Sequence, residues 1–262
     1  MNYPMANVHP EAIIGKDVVI EPFATIQKDV VIGDGCWIGP NAVLMDGTRL
    51  GKNCQVHSGA VIGGLPQDLK FKGEKTYVEI GDNTVIRECV TINRGTAAKG
   101  KTVVGNDCLI MCYVHIAHDC MIGNNVILVG YTGLAGEVIV DDWAIISSSM
   151  VHQFVRIGCH AMISGGSLVR KDVPPYTKAA REPLSYVGIN TIGLRRRAFS
   201  NERINEIHEI YRILYQSDLN HSQALEVIET TIPPSPERDI ITSFIRSSKR
   251  GIMRGYVSDT GE

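Results

Sequence analysis

Taken six residues at a time, the stretch Gly105–Ile146 is GNDCLI MCYVHI AHDCMI GNNVIL VGYTGL AGEVIV DDWAII. Each hexad ends on an aliphatic residue: Ile110, Ile116, Ile122, Leu128, Leu134, Val140 and Ile146. The same phase extends N-terminally through Val104, then Ile80, Ile86 and Ile92, then the run from Val8 and Ile14 to Val56 and Ile62. C-terminally it continues at Val151, Ile157, Ile163 and Val169, one residue early. Glycine often follows the aliphatic position, as at Gly15, Gly33, Gly39, Gly81, Gly123 and Gly158. A small or β-branched residue often stands four places on, as at Val18, Ala24, Ala42, Thr84, Val126 and Ala144. No α-helix can bury such a stripe, because six is not a multiple of 3.6. A short strand followed by a tight corner can. The reading is mainly β: hexads form the sides of a three-sided parallel β-helix, aliphatic residues fill its interior, and glycine eases the corners.

Two segments interrupt the repeat without changing its phase, residues 63–78 and 97–102. Loops that leave a rigid solenoid often carry function. After Asp172-Val173-Pro174-Pro175 the period changes. Ser200 is a candidate N-cap for a helix with Ile204, Ile207, Tyr211, Leu214 and Tyr215 on one side. A second helix is expected over 223–230, and a third from Ser235-Pro236 with serine as cap and proline in the first turn. The expected division is a β-helix over 1–189 and an α-helical C-terminal domain over 190–262, capping the open end of the coil.

A net charge of −2 offers no general basic field for nucleic acid. No stretch approaches the ~20 apolar residues that span a bilayer. Met1 to Pro10 lacks a signal-peptide layout, so a cytoplasmic location is expected. None of the seven cysteines forms a C-x-x-C pair. Cys36, Cys54, Cys108 and Cys120 fall on the small position of the hexad, where packing explains them.

The densest polar cluster is Tyr113-Val114-His115-Ile116-Ala117-His118-Asp119-Cys120. Ile116 points inward by phase, so His118 and Asp119 are expected near the next corner with side chains facing outward. Three readings fit: a solvated histidine pair, metal ligands, or a base oriented by a carboxylate.

The string His-Ile-Ala-His-Asp-Cys at 115–120 resembles the active-site segment of the UDP-N-acetylglucosamine O-acyltransferases of the lipid A pathway. Further similar segments follow in family order: Gln67-Asp68-Leu69-Lys70, Ile86-Arg87-Glu88, Thr91-Ile92-Asn93-Arg94-Gly95-Thr96, Leu134-Ala135-Gly136, Val151-His152-Gln153-Phe154, Asp172-Val173-Pro174-Pro175-Tyr176 and Gly193-Leu194-Arg195-Arg196-Arg197. The resemblance covers nearly the whole chain.

The resemblance implies a left-handed coil, an exception to the usual right-handed crossover, and a homotrimer with active sites between subunits. It implies that a 3-hydroxyacyl chain passes from acyl carrier protein to the glucosamine 3-hydroxyl of UDP-N-acetylglucosamine. His118 would be the general base, Asp119 its orienting partner, and the Gly136 N–H the oxyanion donor. Gln67, Asp68, Lys70 and His115 would contact the sugar nucleotide. His152 and Gln153 would line the site, and Asn190 and Arg196 would meet the nucleotide. Gly165 would lie where chain length is measured. Counted along the coil axis, that position stands roughly 13 Å from His118 and favours long chains. The thioester supplies the driving force, so no metal or redox cofactor is implied. Asn93, Glu137 and Ile192 depart from the family pattern, where histidine, histidine and an acidic residue are common.

Rival readings are the N-acyltransferase of the same pathway, a coenzyme A-dependent acetyltransferase, a γ-type carbonic anhydrase and a purely structural solenoid. The first usually carries an N-terminal uridine-binding domain, for which repeats starting at Val8 leave no room. The helical end and the 67–70 loop speak against the second, and the His-x-x-His spacing against the third.

Overall fold

The computed structural model describes residues 3–255. The expectation for 256–262 lies outside them. The hexads form short strands, mostly of two residues, that stack into three parallel sheets. Face A runs from Asn7–Val8 to Leu168–Val169, face B from Ile13–Ile14 to Arg156–Ile157, and face C starts at Val19–Ile20. The coil winds left-handed.

Register shows what the period does. Val8 pairs with Ile26, and Ile116 with Leu134, one full coil of 18 residues later. Leu134 pairs with Val151, a coil of 17, so the early C-terminal phase is one residue missing from one turn. Ile38, Leu44, Ile62, Ile86, Ile92, Ile110, Ile116, Leu128 and Leu134 are wholly buried. Burial of such a side chain contributes roughly 1.5–3 kcal/mol, so the column is the main stabilising element. The small position is equally dry: Ala24, Ala42, Cys54 and Cys120 are fully enclosed.

The corner glycines act differently from the expectation. A Cβ added to Gly33 would stand 2.4 Å from the Gly51 carbonyl oxygen of the next coil. These glycines permit close approach of stacked backbones. The left-handed corner residue comes two places later and is often Asn or Asp, as at Asp17, Asn53, Asn83, Asp107 and Asn125. Their short polar side chains tolerate positive φ.

Face C does not stop with the hexads. Thr177–Ala180 continues it in parallel, Ser185–Ile189 returns antiparallel, and Arg254–Gly255 adds a final strand after the helices. Four helices intervene: α1 (Thr191–Arg196), α2 (Asn201–Gln216), α3 (His221–Thr231) and α4 (Pro236–Arg246). Ser200 and Ser235 cap α2 and α4 by accepting from the Arg203 and Arg238 N–H groups. Asn220 and Gln223 form a capping box on α3. Tyr211 of α2 is buried and donates to the Pro175 carbonyl, tying the helices to the last coil. The far end of α4 reaches face B, where the Arg156 guanidinium lies over Phe244, 4.5 Å from its centroid, and donates to Ser247.

Candidate active site

The topology gathers most of the candidate residues at one edge of the prism. Both interruptions leave the coil where face A turns into face B. Expected at 63–78 and 97–102, they span 65–76 and 94–100, because the strands Val61–Gly64, Tyr77–Ile80 and Lys101–Val104 extend into the expected ranges and Thr91–Asn93 ends early. His118-Asp119, Gly136-Glu137 and His152-Gln153 occupy the same corner in three successive coils. The Glu137 N–H donates to the His118 carbonyl, and the Phe154 N–H to that of Gly136.

His118 and Asp119 form a dyad. His118 Nδ1 lies 2.8 Å from Asp119 Oδ2. His118 is 7 % exposed and Asp119 wholly buried. Of the three readings of this cluster, the solvated one is therefore wrong for the dyad: the corner is as expected, but the 94–100 excursion folds over Asp119. Its carboxylate accepts from the Thr96 hydroxyl at 2.7 Å, the Thr96 N–H at 3.0 Å and the Lys99 N–H at 3.2 Å. Burial alone pushes this carboxyl up. The hydrogen bonds from Thr96 and His118 outweigh burial and hold it below its ordinary value. An ionised carboxylate only accepts, so His118 Nδ1 carries the proton and Nε2 is left as a base.

Gly136 meets the other side of that ring. A Cβ there would stand 2.5 Å from His118 Cε1 and 2.6 Å from Nε2. The Ala135 and Glu137 N–H groups donate to ladder carbonyls, whereas the Gly136 N–H makes no such bond among the described residues. A free donor beside an imidazole nitrogen suits a developing oxyanion.

His115 stands on face A one strand earlier in the same hexad pair. Its Nδ1 lies 2.7 Å from Thr91 Oγ1, and burial lowers its pKa. His152 is exposed, with Nδ1 3.0 Å from the Gln153 carbonyl. Gln67 and Lys70 are exposed on the first excursion, where Asp68 accepts from the Lys70 N–H in a tight turn. Among the described residues, no three His, Cys, Asp or Glu side chains converge in a metal-binding group.

Three candidates lie elsewhere on the chain. Asn190 is 3 % exposed and caps α1, accepting from the Gly193 N–H and donating to the His160 carbonyl at 2.9 Å. His160 marks the corner between faces B and C, so Asn190 and the exposed Arg196 are not at the dyad of their own chain. Gly165 lies between strands Met162–Ile163 and Leu168–Val169, at the corner between faces C and A. The axial path from His118 to Gly165 therefore does not exist within one chain. Their separation is two and two-thirds coils, and the fraction carries Gly165 round the prism.

Thr96 and Lys99 are the site residues that sequence reasoning missed. Thr96 belongs to a family-like segment, and its position at the edge of the second interruption was the available signal.

Comparison with known proteins agrees with this geometry. The model described as bacterial transferase hexapeptide (six repeats) matches residues 29–64 and 101–136. That of the UDP-N-acetylglucosamine O-acyltransferase, domain 2, matches 172–253. An acyl-[acyl-carrier-protein]–UDP-N-acetylglucosamine O-acyltransferase of Burkholderia mallei is 44% identical over 201 residues, 74% of this chain and 77% of the relative. The crystal structure of a UDP-N-acetylglucosamine acyltransferase from Bacteroides fragilis superposes with a TM-score of 0.95 at 56% identity, covering 97% of this chain and 100% of that one. The Francisella novicida enzyme gives 0.95 at 42%, covering 100% and 97%. A coil of hexads, a buried His-Asp dyad facing a glycine, and likeness along nearly the full length converge: this chain is an acyltransferase of the UDP-N-acetylglucosamine O-acyltransferase family.

Proposed function

We propose that the chain transfers a (R)-3-hydroxyacyl group from acyl carrier protein to the glucosamine 3-hydroxyl of UDP-N-acetylglucosamine, the first step of lipid A biosynthesis. The observation that carries this is the dyad: a buried carboxylate fixes the His118 tautomer, and Nε2 faces Gly136. His118 Nε2 removes the hydroxyl proton as the oxygen attacks the thioester carbon. The Gly136 N–H receives the oxyanion. Collapse breaks the carbon–sulfur bond, and His118 returns the proton to the departing thiolate. The thioester supplies the driving force, so the scheme needs no metal or redox cofactor.

The enzyme acts as a homotrimer in this reading. Outward residues of face C include Val19, Trp37, Val85, Leu109, Ile127, Ile145 and Met162, and those of face A include Val43, Val61, Met150 and Leu168. Phe23, Tyr113 and Tyr131 are exposed at the corner between them, the two tyrosines stacked at 5.1 Å. Exposed apolar residues gathered in this way mark an interface. Face A of one chain against face C of the next closes as a ring of three. The dyad corner then meets the neighbour's corner between B and C, which bears Asn190 and Arg196. The acyl chain enters the seam between the two faces, toward Gly165. Sugar-nucleotide contacts fall to Gln67, Asp68, Lys70, His115, His152 and Gln153. The seven cysteines are all free thiols, which fits a reducing compartment such as the cytoplasm, and no described helix is long and apolar enough to cross a membrane.

The test is an assay with UDP-N-acetylglucosamine and a panel of 3-hydroxyacyl carrier proteins. Formation of the 3-O-acyl product is expected. Turnover with coenzyme A thioesters alone, and none with carrier protein, would overturn the donor assignment.

A further inference from the structure

The 94–100 excursion touches the first one, where the Ala97 N–H donates to Glu74, and closes over the dyad. Ile92 on face A and Val104 on face B are two hexads apart, although one hexad would carry the coil from face A to face B. The chain leaves the corner, exposes Ala97, Ala98 and Lys99, and returns at the strand Lys101–Val104. What it brings inward is a set of donors aimed at one carboxylate. Asp119 Oδ1 accepts from the Thr96 and Lys99 N–H groups, and Oδ2 from the Thr96 hydroxyl and His118 Nδ1. Each oxygen thus accepts two hydrogen bonds, the number its lone pairs allow. Thr102 Oγ1 receives the Asp119 N–H at 2.8 Å, and Lys99 Nζ donates to the Asp119 carbonyl at 3.1 Å, so the backbone is held as well.

The direction of the Thr96 hydroxyl is fixed by its own surroundings. Thr96 Oγ1 accepts from the Ala98 N–H at 3.1 Å. Its proton is left for Asp119. Thr96 is 6 % exposed and Thr102 fully buried, so water does not compete freely for these groups.

We infer that Thr96 is a positioning residue of the acyl transfer, the third member of a Thr96–Asp119–His118 relay. It keeps Asp119 ionised and in plane, and Asp119 keeps the His118 proton on Nδ1. This rests on His118 being the general base. The neighbouring polar and charged groups include Lys99, Thr102, the buried Cys120 thiol next in the chain, Glu137 beside Gly136 on the next coil, and His115 on the preceding strand.

The test compares Thr96→Val, which removes the hydroxyl and keeps the shape, with Thr96→Ser, which keeps it. The readouts are kcat, KM for UDP-N-acetylglucosamine and the pH profile of kcat, with His118→Ala in parallel. Thr96→Val is expected to lower kcat by about 10- to 100-fold and leave KM within about twofold. Losing a donor makes Asp119 more basic. It protonates more readily and also stabilises the imidazolium more strongly. Both effects move the acid limb to higher pH, by about 0.5–1 unit. Thr96→Ser should restore rate and profile. If valine does not pack, Thr96→Ala carries the same expectation. A mere structural role would lower stability and leave the limb in place. An unshifted limb with kcat within about twofold, beside an inactive His118→Ala, overturns the relay alone. An active His118→Ala overturns the general-base reading and the relay with it.

Discussion

The His118 imidazole lies against the Cα of Gly136, so close that a single methyl there would stand 2.6 Å from Nε2. The backbone cannot retreat, because the Glu137 N–H is held by the His118 carbonyl. Gly136→Ala must therefore turn the ring off Asp119 or shift the corner. We expect kcat to fall by at least about 10²-fold, through loss of the oriented base, with the protein still folded. Circular dichroism, sedimentation and the transfer assay on one preparation check this. Activity within threefold of the parent would show that the ring has another place to go.

The second prediction concerns the shared cleft. If His118 and Arg196 of one site come from adjacent chains, His118→Ala and Arg196→Ala chains should complement each other. A random equal mixture leaves about a quarter of the sites with both native residues, because each seam draws one residue from each neighbour. Unfolding and refolding the two variants together, then assaying verified mixed trimers, gives the answer. No gain over the separate variants would show that the two residues do not share a site.

Gly165 is the third. A Cβ at this position would have only Ser147 O within reach, at 3.9 Å, so there is room for a side chain to project from the corner. Gly165→Met should fill the end of the seam. The ratio of kcat/KM for long against short 3-hydroxyacyl carrier proteins is expected to fall at least about tenfold, since overpacking penalises the longer chain. The dyad should be unaffected. An unchanged ratio would remove Gly165 from the acyl path.

The architecture was legible because the period of six admits one geometry, and every buried Ile and Leu of the long column obeys it. The site was less legible. Periodicity gives the side on which Asp119 sits, and says nothing of what an insertion folds over it; hence its burial beneath Thr96 and Lys99 was missed. The resemblance alone points Asn190 toward the nucleotide, and nothing in the pattern shows that within its own chain the amide caps α1. The Gly165 distance failed for a different reason: residues share a corner only when separated by whole coils. The hairpin of Thr177–Ala180 and Ser185–Ile189 escaped notice because its pairing is antiparallel and local.

The fourth prediction is a pH effect on stability. His160 stacks between Trp143, at 6.2 Å, and Tyr176, at 5.4 Å, with Phe199 edge-on. Burial first, and then the Arg197 charge, push its pKa down to about 4, while Asp142 acts in the opposite sense. An unfolded histidine titrates near 6.5. Between these values the unfolded chain binds a proton that the folded chain refuses, so stability is lost as pH falls from about 6.5 to about 4 and levels off below. The effect is at most about 3 kcal/mol, less the share that partial exposure screens. Urea midpoints at fixed protein concentration should fall less steeply over this window in His160→Phe than in the parent. Equal slopes would assign the acid sensitivity elsewhere.

The central claim is that His118 removes the proton from the sugar hydroxyl. Its most direct test is the rate of acyl transfer by His118→Ala, measured at saturating UDP-N-acetylglucosamine and 3-hydroxyacyl carrier protein on protein of verified fold. A loss on the order of 10² to 10⁴ in kcat, with substrate binding retained, is predicted. Turnover within a few-fold of the parent would contradict it.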